Sequence, residues 1–234
     1  MALGSKALFK ATKPKARVAE GQGALAVDLP RAVRPVDTAR VENDFYPTGQ
    51  PEAIRALIAR EGARILGADA VWEPAVGDGA LARELAAFGL TVLGSDLVDR
   101  GWPGTLVRSY YDFERAPAPV IITNPPFCEI NARDGHGRWL RHTLDMPGWD
   151  YLALLLSWDW PAARANGLGA LLDAQPFSYC YLMRWKLDFT GAGSPPQRNA
   201  WFVWDRRDVR SEPGFRWLDR MDGRQADLFA GGVA

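Results

Sequence analysis

"AVWEPAVGDGALARELAAFGLTVLGSD" (residues 70–96) is the stretch whose reading decides the fold. Residues 70–72 form a short apolar strand that runs into a turn carrying Gly77 and Gly79. A helix follows with Leu81, Leu85 and Phe88 on one side, Gly89 can close it, and "TVLGS" makes a second strand that ends at Asp96. This is a βαβ unit. Working outward, strand signals recur at "VIIT" (120–123), "YLALLLS" (151–157), 178–186 and "AWFVWD" (200–205), separated by helix or loop stretches such as 136–146 and 161–173. Upstream, in "NDFYPTGQPEAIRALIARE" (43–61), Pro51 suits a first helical position, Glu52 the positive end of the helix dipole, and Ile54, Leu57 and Ile58 one buried face. Alternation of this kind predicts an α/β fold: a largely parallel sheet with helices on both faces. No internal repeat or low-complexity block interrupts it.

A chain of 234 residues, 47% hydrophobic and 24% charged, can bury one good core. Lysine plus arginine equals aspartate plus glutamate at 28 each, which argues against a protein that coats polyanions everywhere and makes any nucleic-acid contact local. Residues 1–42 read as a basic, flexible arm, 43–207 as the folded domain and 208–234 as a tail. Within 1–40 there are eight basic residues against three acidic ones. The start "MALGSKALFK" lacks the apolar segment of a secretory signal, no run of apolar residues is long enough to span a membrane, and Cys128 and Cys180 form no CxxC pair. The expectation is a cytoplasmic protein with reduced thiols.

The turn "EPAVGDG" (73–79) has the position of a cofactor loop, where glycines allow positive φ and close approach of backbone N–H groups to a ligand. A dinucleotide fingerprint requires a third glycine, and Arg83 stands there instead. That disfavours a nicotinamide-dependent dehydrogenase. Glu73 also repels a pyrophosphate but suits a ligand with positive charge, such as the sulfonium and ammonium of S-adenosylmethionine. Asp96 ends the second strand at about the right distance to accept hydrogen bonds from a ribose diol.

"NPPF" (124–127) falls at the carboxyl end of a later strand, where ligands bind in open α/β sheets. Two prolines bring no N–H donors, so the segment offers acceptors: the Asn124 side-chain oxygen and the Pro125 carbonyl. Two acceptors suit a planar amino group whose lone pair is delocalised into a ring. Gripping its hydrogens favours a more tetrahedral nitrogen, so stabilisation grows toward the transition state of methyl transfer without a metal or a strong base. Phe127 then offers an aromatic face to a base rotated out of its stack.

With "DFYPT", "EPAVGDG", "SD", "YDF" and "NPPF" in this order, the chain resembles the class I S-adenosylmethionine-dependent methyltransferases that methylate amino groups, over about residues 43–205. The resemblance implies a Rossmann-like, mostly parallel seven-stranded sheet. It also implies that Phe45, Tyr46, Pro47 and Thr48 lie over the cofactor, that Glu73, Pro74, Gly77 and Gly79 form its loop, and that Asp96 binds the ribose. Asp112 corresponds to an acid beside the cofactor's adenine amino group, and Asn124, Pro125, Pro126 and Phe127 to the catalytic tetrapeptide. The motif order is that called gamma, and asparagine at its first position is commoner in adenine-N6 than in cytosine-N4 methylators. The same tetrapeptide class serves DNA adenine, RNA adenine and protein glutamine methyltransferases. A DNA adenine methyltransferase of bacterial or phage type is the leading expectation, with RNA adenine or DNA cytosine as alternatives and a non-catalytic clamp- or DNA-binding scaffold as a rival.

Sequence-specific DNA methyltransferases of the gamma order generally carry a separate target-recognition domain, and only a short remainder follows Asp205. The expectation is either that specificity is short or weak, or that loops read it. "NARDGHGRWLRH" (131–142), with Arg133, Arg138 and Arg141, and "DFTGAGSPPQRNA" (188–200), with Arg198, are the candidates for phosphate contact. His136 and His142 fit neither a hydrolase triad nor a metal site. In "GRQADLFAGGVA" (223–234), Gln225, Leu228 and Phe229 resemble the anchors by which bacterial proteins dock into the sliding clamp, which would place the enzyme at the nucleoid.

Overall fold

The computed structural model describes residues 51–131, 136–163, 165–189 and 197–220. The basic arm 1–42, the 45–48 segment, Arg133 and the 225–229 peptide lie outside the described residues.

The chain opens with α1 (Glu52–Ile65), then β1 (Ala70–Glu73), α2 (Ala80–Ala87), β2 (Thr91–Asp96) and β3 (Leu106–Val107). A one-turn 3-10 helix (Tyr110–Asp112) leads to β4 (Val120–Thr123), the short α3 (Phe127–Ile130), α4 (Arg138–Asp145) and β5 (Tyr151–Ser157). After α5 (Leu168–Ala174) come β6 (Tyr179–Met183), β7 (Asn199–Asp205) and β8 (Gly214–Leu218). The described strands form one sheet in the order β3-β2-β1-β4-β5-β7-β6-β8. All neighbouring pairs are parallel except β7, which runs antiparallel to both β5 and β6.

Strands β1, β4, β5, β6 and β7 read as near-continuous apolar runs because both faces are covered. Successive residues alternate between two cores. On one face Trp72, Ile121, Leu152, Leu154 and Phe202 pack with Trp139 and Leu140 of α4 and Leu168 and Leu172 of α5. On the other, Val71, Ile122, Ala153, Leu155 and Trp201 pack with Ile54, Leu57 and Ile65 of α1 and Leu81 and Leu85 of α2. Polar tethers fix α1 along β7: the Trp201 indole N–H donates to the Ala53 carbonyl at 3.0 Å, and Arg64 grips both carboxylate oxygens of Asp205 at 2.9 Å. No described helix is long and apolar enough to cross a membrane.

Two expectations change. The sheet has eight described strands instead of seven, and the expected tail from residue 208 supplies the eighth: β8 pairs in parallel with β6 from Tyr179↔Gly214 to Met183↔Leu218. "GFRWL" escapes a sequence reading because an edge strand is covered on fewer sides. Phe215, Arg216 and Trp217 are all exposed, and Leu218 alone is inserted in the core. Phe88, expected on the buried face of α2, is exposed as the residue that caps it.

Leu218 gives a test of this assignment. At 2% exposure it packs in the α1-side core, so Leu218→Ala should lower unfolding stability by about 2–4 kcal/mol in urea titration. A residue in a solvated tail would leave the midpoint where it was.

Candidate active site

β1 and β4 lie side by side, but the chain leaves β1 toward β2 and leaves β4 toward β5, on opposite sides. The connections diverge, so a crevice opens between the two carboxyl ends. A cavity of about 200 Å³ lies there, walled by the turn after β1, the end of β2, the 3-10 helix and the segment after β4.

The turn after β1 is held by β2. Val76 N–H donates to the Ser95 carbonyl at 3.0 Å and Gly77 N–H to Asp96 Oδ2 at 2.8 Å. Asp96 Oδ1 accepts from Val98 N–H at 3.1 Å, so one carboxylate pins two loops. Gly77 and Gly79 take φ of 54° and 86°, the left-handed region that favours glycine. Gly79 serves a purpose other than the one expected. It does not line the cavity, and a Cβ there would stand 2.2 Å from Cε3 of Trp102, whose ring also covers Gly94. Trp102 is thus the clamp that holds the glycine turn against β2.

Glu73 ends β1 in the cavity wall at 1% exposure. Neither of its carboxylate oxygens completes a hydrogen bond, and neither does the Thr123 hydroxyl. Burial dominates and pushes its pKa well above the usual carboxylate range; the nearby Thr123 hydroxyl and Ala75 N–H offset this in part, and Asp96 adds to the rise. An acid kept in this state is a receptor for a group that can donate hydrogen bonds or bring positive charge.

Across the cavity, β4 ends at Thr123 and Asn124 and Pro126 line the wall. Pro126 is extended (φ −62°, ψ 126°), and its carbonyl accepts from Glu129 and Ile130 N–H at 3.0 and 3.2 Å, which starts α3. Among the described residues no backbone N–H bonds the Pro125 carbonyl. Pro125 and Phe127 do not line the cavity, and Phe127 is half-buried against the core.

The 3-10 helix and its N-cap contribute Ser109, Tyr110 and Tyr111. Tyr110 is buried, stacked on Trp139 at 4.3 Å with an interplanar angle of 6°, and its hydroxyl meets the Thr143 hydroxyl at 2.7 Å. Tyr111 donates its hydroxyl to Glu129, which is also ion-paired with Arg138, and the guanidinium lies over the Tyr111 ring at 5.1 Å. This three-residue clasp joins the turn after β3, the turn after β4 and the start of α4.

Of the site residues expected from sequence, the cavity brings together Glu73, Pro74, Gly77, Asp96, Asn124 and Pro126. Asp112, which is exposed, is not among the residues that line it. Arg138 is committed to Glu129, and Arg141 donates to the carbonyls of His136 and Asn166 at 3.1 and 3.3 Å. Arg198 remains exposed at the start of β7. Tyr111, Glu129 and Trp102 were not singled out from sequence. The clasp joins separate turns, and no local spacing announces it; "YYDF" held the only hint.

No family model matches the chain, and no curated protein does. Solved structures do. A proposed RNA methyltransferase from Pyrococcus horikoshii superposes with a TM-score of 0.54 at 12% identity, covering 76% of this chain and 94% of that one. A proposed class I S-adenosylmethionine-dependent methyltransferase from Listeria monocytogenes gives 0.52 at 14% identity, covering 81% and 71%. The modification subunit of a proposed type I restriction enzyme from Vibrio vulnificus YJ016 gives 0.50 at 13% identity over 85% of this chain, which spans 55% of that subunit. The fold is the Rossmann-like α/β fold of class I methyltransferases.

Two measurements test this geometry. Gly79→Ala should destabilise the protein by at least the roughly 1–2 kcal/mol of a left-handed alanine, and Gly79→Ala with Trp102→Ala should cost less than the two single variants summed, because removing the ring makes room for the methyl group. Glu73 has a raised folded-state pKa, so its effect is absent below the unfolded value near 4.5 and stability is lost as pH rises through the folded value. Glu73→Gln should therefore unfold at higher temperature than the parent at neutral pH and match it more closely near pH 4.

Proposed function

We propose that the chain is an S-adenosylmethionine-dependent methyltransferase acting on the exocyclic amino group of adenine in DNA. The observation that carries this reading is the pairing, in one cavity, of a buried carboxylate at Glu73 whose oxygens complete no hydrogen bond and an amide followed by two prolines at Asn124. Glu73 suits the cationic methionine end of the cofactor. Asp96 uses one position on each carboxylate oxygen for the Gly77 and Val98 N–H groups, and a carboxylate has about four acceptor positions, so it retains capacity for a ribose diol. Exposed Leu97 and Tyr111 add apolar walls.

When bound, the cofactor supplies an electrophilic methyl group on cationic sulfur. Asn124 would accept one amino hydrogen through its side-chain oxygen, and the Pro125 carbonyl, to which no described backbone N–H is bonded, would accept the other only from a base entering beside the cavity, whose lining does not include Pro125. Both acceptors favour a nitrogen whose lone pair has left the ring, and their contribution is greatest where the nitrogen is most tetrahedral. The Tyr111–Glu129–Arg138 clasp holds the segment after Asn124 against the turn that carries Tyr111. Phe127, at the margin of the cavity, would serve as a stacking face only for a base entering from outside it.

Adenine and DNA are favoured by the asparagine of "NPPF" and by the clamp-like peptide at 225–229, both read from sequence. RNA is the second substrate to assay. The neighbour with 94% of its length covered is a proposed RNA methyltransferase, and its likeness supports the fold alone.

The test is transfer of labelled methyl to single-stranded DNA, duplex DNA and RNA in parallel, with the modified nucleoside identified. Label in N6-methyladenine of DNA is expected, and label confined to RNA replaces the substrate. Asn124→Ala should reduce turnover by about a hundredfold or more while cofactor affinity in calorimetry stays within a few-fold. Loss of cofactor binding in that variant would remove the role given to Asn124.

A further inference from the structure

Because β7 runs antiparallel between β5 and β6, its amino end lies on the same sheet edge as the carboxyl ends of β4, β5, β6 and β8. That edge is the one on which Asn124 sits. Starting from β5 and moving away from the cavity, it carries a connected row of exposed side chains. Trp158, 51% exposed, follows β5 directly, and its backbone N–H donates to the backbone carbonyl of Arg198 at 3.1 Å, which sets the two residues side by side. The Arg198 guanidinium donates to the Arg184 carbonyl at 3.1 Å. The Arg184 guanidinium lies 5.0 Å from the centroid of Trp217, which is 46% exposed and meets Phe215, 47% exposed, edge-to-face at 4.9 Å.

We infer that this row is a binding track for an unpaired strand of nucleic acid that passes from the cavity toward β8, with bases stacked on Trp158 and Trp217 and phosphates met by Arg198 and Arg184. The inference rests on the proposed function for its direction, since the cavity end of the track is the Asn124 site. Its observations are independent of it.

Five features favour this occupant. Large aromatic rings on an edge strand are a liability unless something uses them, and here two arginines lie between the two tryptophans, the combination by which single strands are held through π faces and backbone charge. Net charge near zero means that the protein has no general attraction for polyanions, so cations on the working edge act locally. The pairing of Arg184 with Asp219 at 3.0 Å is solvent-exposed on both sides, which leaves the guanidinium open to exchange for a phosphate. Asp159, beside Trp158, accepts from the Ser157 hydroxyl and is the acidic side chain at that end. Three strand spacings separate β5 from β8, about 14 Å, the reach of a few nucleotides. Flipping a base also disrupts the local duplex, so unpaired nucleotides beside the cavity are an expected state of the substrate.

The experiment measures fluorescence anisotropy of short labelled single-stranded DNA and RNA oligonucleotides against the full chain and its variants, over a range of salt. Trp158→Ala and Trp217→Ala should each weaken single-strand binding by about tenfold, with Trp→Phe at either position retaining most of it. Arg198→Gln should lower the slope of log affinity against log salt by about 0.7. Calorimetry with S-adenosylmethionine, run on the same preparations, should be unchanged in the tryptophan variants and so certifies that they are folded. Unchanged oligonucleotide affinity in both alanine variants overturns the inference. So does a dimer, seen by sedimentation, that Trp217→Ala dissolves without change in oligonucleotide affinity, because the aromatic edge then belongs to a second copy. Methyl transfer with binding insensitive to the tryptophans sinks the track alone. Tryptophan-dependent binding without methyl transfer sinks the proposed function alone.

Discussion

The site depends on a constraint of chain geometry: two adjacent parallel strands whose continuations leave in opposite directions cannot have the gap between their carboxyl ends covered by either connection. β1 and β4 are that pair. Glu73 and Asn124 follow from it, since each is at or just beyond the end of one of these strands, and the cavity collects both with no special loop to bring them together. The hydrogen bonds from the glycine turn to Ser95 and Asp96 then keep the third wall in place.

Much of this was legible in the chain because the relevant signals are local. "VIIT" and "YLALLLS" are uninterrupted apolar strands, each followed by polar or rigid residues, and the structure ends both strands where the pattern does. The helical face of Ile54, Leu57 and Ile58 is buried as its spacing requires. What stayed hidden depends on partners distant in sequence. Trp102 lies in a loop, and only the three-dimensional approach of Gly79 and Gly94 gives its ring a function. Arg138 reads as a free cation until Glu129, nine positions earlier, is seen to neutralise it. β8 was missed because its exposed residues carry no amphipathic signature, and its pairing with β6 bridges over thirty residues in each register pair.

Glu73 illustrates how a binding site and a stable core make opposite demands on one side chain. Packing alone would replace it by an apolar residue, since a buried carboxyl without a hydrogen-bond partner costs free energy in either protonation state. Its neighbours on β1, Val71 and Trp72, follow the packing rule: one is fully buried against α1's face and the other donates its indole N–H to Ser95 Oγ at 2.9 Å. Within β1 the departure is confined to the position that looks into the cavity, the pattern expected where a site is held ready in advance of its ligand.

The antiparallel β7 has a consequence for how such a protein can change. The connection that leaves β6 at Met183 and re-enters at Asn199 starts and finishes on one edge of the sheet, so it adds no crossover and closes on the same two anchors whatever its length. Insertions there would meet only the weak dependence of loop closure on length, while the glycine turn, on the far half of the sheet, would be untouched. The two ends of this edge can accordingly vary at separate rates within a lineage, one by swapping the connection between β6 and β7 and the other scarcely at all.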